Sequence, residues 1–75
     1  MSMPMSNLKR GNAGRVLSVS ASGSLRQRLF DLGLLPGTVV ERVMDSPIGD
    51  TACYRFRGAM IALRADDAGQ ISVMV

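Results

Sequence analysis

Cys53 is the single thiol in a chain of 75 residues that contains no histidine. A nucleophilic thiol or hydroxyl needs a neighbouring base, and imidazole, the commonest one, is missing. Cys53 also falls in the middle of an alternating segment, where a structural thiol is the expected role. Asp66 and Asp67 adjoin in sequence, but adjacent side chains point apart. The pair suits a solvated turn, or negative charge at the start of a helical turn, better than a carboxylate dyad. Glu41 and Asp45 lack the spacing of a carboxylate metal site. The Cys/His sets that hold zinc need several such ligands and cannot be assembled. Met1, Met3 and Met5 are soft thioethers of the kind that bind Cu(I), yet such sites usually recruit Cys or His as well. Gly33, Gly37, Gly49 and Gly58 are dispersed and form no phosphate-loop or dinucleotide pattern. The chain therefore reads as non-catalytic, with no cofactor and no metal site.

Nucleic-acid binding is the next chemistry to weigh. The net charge is +3, and Arg55, Arg57 and Arg64 fall on neighbouring strands. Small β-barrels with aromatics and arginines bind RNA. Here Tyr54 and Phe56 lie on the face opposite Arg55 and Arg57, which separates the stacking platform from the basic groove. The basic residues are scattered rather than gathered in a run, as a solvated surface would have them.

The elements that must position these residues are short. A chain of this size buries only about 60% of its unfolded surface. One cysteine forbids an internal disulfide and, with no secretory signal, fits a reducing compartment such as the cytoplasm. The apolar fraction is 47% with only three aromatics, so the core should be aliphatic. No apolar run approaches the ~20 residues of a membrane span. Leu8 is followed directly by Lys9 and Arg10, which rules out a signal-peptide stretch.

Residues 1–13 show no period and read as a flexible N-terminal leader; residues 14–75 read as one domain. Gly14 to Val19 is a first strand. Ser24 and Gln27 have capping-box spacing. Leu25, Leu29 and Leu32 then share one face of a helix running from Leu25 to Leu32. Gly33 follows as the residue that accepts a left-handed conformation, and Pro36-Gly37 as a type II turn. Thr38 to Met44 is a β-branched strand. Asp45 to Asp50 is a loop. Thr51 to Arg57 alternates, with Ala52, Tyr54 and Phe56 on one side. Gly58 bends the chain into a strand from Ala59 to Leu63. Arg64 to Ala68 suits one helical turn, and Ile71 to Val75 closes the chain with Ile71, Val73 and Val75 inward. The expectation is a mainly β fold: a small barrel of about five strands, with one short helix between strands 1 and 2 and a single helical turn before the last strand.

Four stretches in this order resemble the FeoA family, the small accessory proteins of bacterial ferrous iron transport. They are Leu25 to Gly37, with its helix followed by Leu32-Gly33-Leu34-Leu35-Pro36-Gly37; Pro47-Ile48-Gly49-Asp50; Arg55-Phe56-Arg57-Gly58 leading into Ile61-Ala62-Leu63-Arg64; and Asp67-Ala68 before Ile71 and Val73. Each motif alone is weak, whereas their order and spacing together are specific. The resemblance spans Gly14 to Val75 and leaves the leader outside. Gly69 departs from it, standing where a charged helix-forming residue is expected. The resemblance implies an SH3-like barrel and a cytoplasmic adaptor role. The implied partner is FeoB, the membrane Fe(II) transporter, whose uptake the adaptor would modulate. The barrel also recurs in iron-dependent repressors of the DtxR type, whose DNA-binding helices this chain lacks.

The leading reading is thus an adaptor of iron transport, with two alternatives: a nucleic-acid-binding barrel, and a regulator that binds a transition metal directly. Insertion into a membrane is not expected, and self-association is left open. Phe30 is offset by about 100° from Leu29 on the helical wheel, so the two cannot share one centre. Together with Leu34 and Leu35 this is more apolar surface than one short helix needs to bury, and surplus apolar surface marks interfaces. The expected partner-binding residues are Leu29, Phe30, Leu34, Leu35, Pro36 and Arg64.

Overall fold

A computed structural model describes residues 1–47 and 49–75, so that Ile48, in the Pro47 to Asp50 stretch, lies outside the described residues. Six strands run in chain order: β1 (Ser2–Pro4), β2 (Ala13–Val19), β3 (Val39–Asp45), β4 (Thr51–Phe56), β5 (Ala59–Arg64) and β6 (Ile71–Met74). A 3-10 turn covers Met5–Asn7, helix α1 spans Gly23–Leu32, and the single turn α2 spans Ala65–Ala68. The strands form one antiparallel sheet in the order β1-β6-β2-β3-β4-β5. The fold is mainly β, with one strand more than the sequence reading anticipates.

Alternation decides which side of each strand faces inward. Val16, Val40, Tyr54, Phe56, Ile61, Leu63, Ile71 and Val73 are all buried in a single cluster, and the sheet wraps around it. Burial in that cluster pushes the Tyr54 phenol up from its ordinary value of 10.0; nearby Arg42 partly opposes the rise and Asp45 adds to it. Val75 does not follow the inward pattern expected of it; it lies past the end of β6 and is exposed. The register shifts between Arg42 and Met44, so Arg42 lies opposite Tyr54 while Met44 lies opposite Cys53. Such a bulge inserts one extra residue and re-aims the side chains that follow it.

The N-terminus corrects the expectation of a flexible leader. β1 pairs with β6, Ser2 opposite Met74 and Pro4 opposite Ser72. Met5 and Leu8 are fully buried members of the core. Arg42 fastens this segment: Nη1 donates to the carbonyls of Ser6 at 3.0 Å and Leu8 at 2.7 Å. Its Nε meets Asp45 Oδ1 at 2.7 Å. The Arg42 backbone adds two bonds, donating to Asn12 O at 3.0 Å and accepting from Gly11 N–H at 2.7 Å. The segment looked aperiodic because its two anchors, Met5 and Leu8, belong to a turn and an extended stretch rather than to one regular element.

Candidate docking surface

The end of α1 controls what this side of the molecule shows to solvent. The capping box does not form: Ser22 precedes the helix without a side-chain bond, and Gln27 Nε2 donates instead to Asp31 Oδ1 at 2.8 Å. At the other end Gly33 has φ +98°. The Gly33 N–H donates to Phe30 O at 3.0 Å and the Leu34 N–H to Leu29 O at 2.9 Å. These two bonds form a Schellman motif, which reverses the chain and brings the residue after glycine back over the last turn. Leu34 therefore packs into the core with Leu29, and both are fully buried.

A tight turn follows. The Thr38 N–H donates to Leu35 O at 3.0 Å, and Gly37 at the third position has φ +94°, as a type II turn requires. The Thr38 hydroxyl donates to Gly33 O at 3.2 Å and accepts from the Leu35 N–H at 3.3 Å. With both ends tied, the middle is pushed outward. Leu35 is 43% exposed, and Leu32, at the end of α1, is 40% exposed. Pro36 is exposed and Phe30 half-buried.

Arginines frame this apolar ridge. Arg15 Nη1 donates to Gly37 O at 2.9 Å. Arg57 lies along Gly33, where an added Cβ would stand 3.1 Å from the Arg57 Cδ. Arg57 and Gly58 form the two-residue β4–β5 turn with φ +52° and +78°, a pairing suited to a type I′ hairpin. The Arg26 guanidinium sits 4.9 Å from the Phe30 ring centroid, and Arg28 is exposed on α1. None of these four arginines has a carboxylate partner among the described residues. Ion pairs occur elsewhere: Arg42 with Asp45, Arg55 with Glu41, and Arg64 with Asp50 at 4.0 Å. Asp31, exposed in the last turn of α1, offsets one of these charges, so the ridge keeps a net positive rim.

The residues expected to meet a partner divide accordingly. Phe30, Leu35 and Pro36 lie together here. Leu29 and Leu34 are corrected, since the helix end folds both inward out of reach. Arg64 is exposed but stands apart from this group: it terminates β5 at the end away from Arg57, about 17 Å along the strand. Leu32, which the helical wheel places on the buried face, is instead exposed beside Leu35, and Arg15 and Arg57, absent from the expected set, lie against this turn. The hairpin dipeptide Arg57-Gly58 was the available signal for the latter. Tyr54 and Phe56 are buried and offer no stacking platform. No group of three or more His, Cys, Asp or Glu gathers among the described residues, and no helix among them is long and apolar enough to cross a membrane.

Known proteins place this geometry in context. A family model described as the FeoA domain matches residues 3–75, starting well before Gly14 and taking in most of β1. The chain is 30% identical over 71 residues to an Fe(2+) transport protein A/Fe(2+) transporter FeoB fusion protein of Porphyromonas gingivalis. That match covers 95% of this chain and 8% of the fusion protein. Among solved structures, the FeoA protein from Chlorobium tepidum superposes with a TM-score of 0.90 at 34% identity, covering 97% of this chain and 70% of that one. FeoA of Stenotrophomonas maltophilia, described as a prokaryotic SH3 domain protein and solved with zinc, superposes at 0.81 with 27% identity, covering 97% and 88%. Matched in sequence and in fold along nearly its whole length, the chain belongs to the FeoA domain family.

Proposed function

We propose that this chain is a non-catalytic accessory module of ferrous iron transport that docks on the cytoplasmic part of FeoB and modulates uptake. The observation that carries the docking site is the ridge of Leu32 and Leu35 among four arginines that have no carboxylate partner among the described residues. Apolar residues held outward by a tied turn, ringed by cations, suit a partner surface that is apolar at its centre and acidic at its rim. The choice of partner is supported by the Porphyromonas gingivalis relative, in which a domain like this one and FeoB are parts of one chain. Covalent linkage raises the effective concentration of two parts that work together.

Co-purification of the chain with full-length FeoB tests the partner. Retention on FeoB, reduced by rising salt, is the expected result. Absence of retention at low salt would remove FeoB as the partner. Binding to DNA or RNA with a steep salt dependence would favour the nucleic-acid reading instead.

A further inference from the structure

The register shift in β3 has a chemical outcome away from the ridge. Val40 faces inward, so simple alternation would turn Met44 inward as well. The shift after Arg42 places Met44 opposite Cys53, on the outer face of the sheet. Next to Cys53 on the other side is Ala62, and Met60, two residues earlier in β5 and on the same face, lies opposite Arg55. Met44 and Met60 are 51% and 56% exposed, and Cys53 is half-buried between them. The charged neighbours turn aside: Arg55 reaches toward Glu41 at 3.0 Å, and Arg64 toward Asp50 at 4.0 Å. What remains on this part of the sheet is one thiol flanked by two thioethers.

We propose that Met44, Cys53 and Met60 form a surface site for Cu(I). Directly opposed residues in an antiparallel pair have Cβ atoms about 4.5–5.5 Å apart, and diagonal ones about 7–8 Å. Cys53 thus has one thioether opposite and one diagonal. Methionine is unbranched, with three rotatable bonds, and spans the diagonal gap. One thiolate and two thioethers make a three-sulfur set with no carboxylate or imidazole, and soft sulfur donors select Cu(I) over harder ions such as Fe(II). On binding, the thiol gives up its proton to solvent and the sulfur lone pair forms the metal bond, with no change of oxidation state. The N-terminal methionines do not make an equivalent site: Met5 is buried in the core, Met3 is partly buried, and no thiol accompanies them.

The test uses the full chain, labelled at the methionine methyl carbons, titrated anaerobically with Ag(I) as a redox-inert probe and then with Cu(I) supplied as its bicinchoninate complex. At one equivalent per chain, the methyl signals of Met44 and Met60 should shift while those of Met1, Met3, Met5 and Met74 stay in place. Cys53→Ser should stop withdrawal of Cu(I) from the coloured complex. The double variant Met44→Leu/Met60→Leu should weaken it by more than the ~10–100-fold that loss of an outer-shell partner costs a metal site. Shifts confined to the other methionines would overturn the proposal. So would a double variant binding as tightly as the parent, which would mark an isolated thiol, or a stoichiometry of one metal per two chains.

Discussion

Removing the two exposed leucines of the ridge should weaken docking without unfolding the domain. Fully burying a leucine gains about 1.5–3 kcal/mol. Leu32 and Leu35 have already buried roughly three-fifths of their surface in the free protein, leaving 40% and 43% for a partner to cover. Covering both remainders yields about 1.2–2.5 kcal/mol, roughly 8–60-fold in affinity. The double variant Leu32→Gln/Leu35→Ser deletes that gain while keeping a helix-forming residue in α1. Titration of immobilised FeoB cytoplasmic region with parent and variant measures the difference, and circular dichroism checks that the variant melts as a folded domain. The buried neighbour supplies the contrast. Leu34→Ser removes a core side chain of the kind whose truncation costs about 2–5 kcal/mol, a large share of a small domain's stability, and should lower the melting temperature sharply. A folded Leu32→Gln/Leu35→Ser variant with unchanged affinity would refute the ridge as the docking surface. A Leu34→Ser variant with parental stability would refute the account of how the ridge is made.

Other substitutions probe the supports. Arg57→Asn keeps a residue tolerant of φ +52°; it should leave the fold intact, slow association with FeoB and flatten its salt dependence, as measured by stopped-flow or surface plasmon resonance. Gly33→Ala forces a Cβ into a left-handed conformation and toward the Arg57 Cδ at 3.1 Å, so it should cost about 1–2 kcal/mol and lower the melting temperature by about 4 °C or more. Arg42→Ala removes the charged donor to Ser6 and Leu8. About 2–3 kcal/mol should be lost, with amide exchange rising first in the segment from Met5 to Asn12. Tyr54 has its phenol raised above 10.0 by burial. A group raised in the folded state stabilises fully below its unfolded value, and that contribution is lost as pH climbs above it. Denaturant titrations should therefore show the parent losing more stability above pH 10 than Tyr54→Phe does.

Much of the architecture was legible because it rests on period and on backbone chemistry. Ala52, Tyr54 and Phe56 alternate, and the structure turns all three inward. Gly33 and Gly37 stand where the helix end and the type II turn call for positive φ, and both have it, at +98° and +94°. The N-terminal strand was not legible. Three residues carry no detectable period, and β1 is held by pairing with β6 at the far end of the chain, a contact that no local pattern announces.

The ridge after α1 shows why a correct local reading can still misplace individual leucines between core and surface. The surplus of apolar side chains around Gly33 was visible, and the wheel put Leu25, Leu29 and Leu32 on one face. A wheel, however, assumes that the helix rests along its length on something flat. α1 is only ten residues long, and after Gly33 its own chain folds back across its last turn. The Leu34 N–H bonded to Leu29 O brings Leu34 to the place beside Leu29 that the next turn of a longer helix would have taken. Leu34 is then buried and Leu32 is left half in water. The number of apolar residues on each side of the boundary scarcely changes; their identities exchange. That exchange is set by two backbone hydrogen bonds and the sign of one φ angle. A helix–glycine–leucine sequence should therefore be read with the leucine after the glycine as core and the leucine before it as surface.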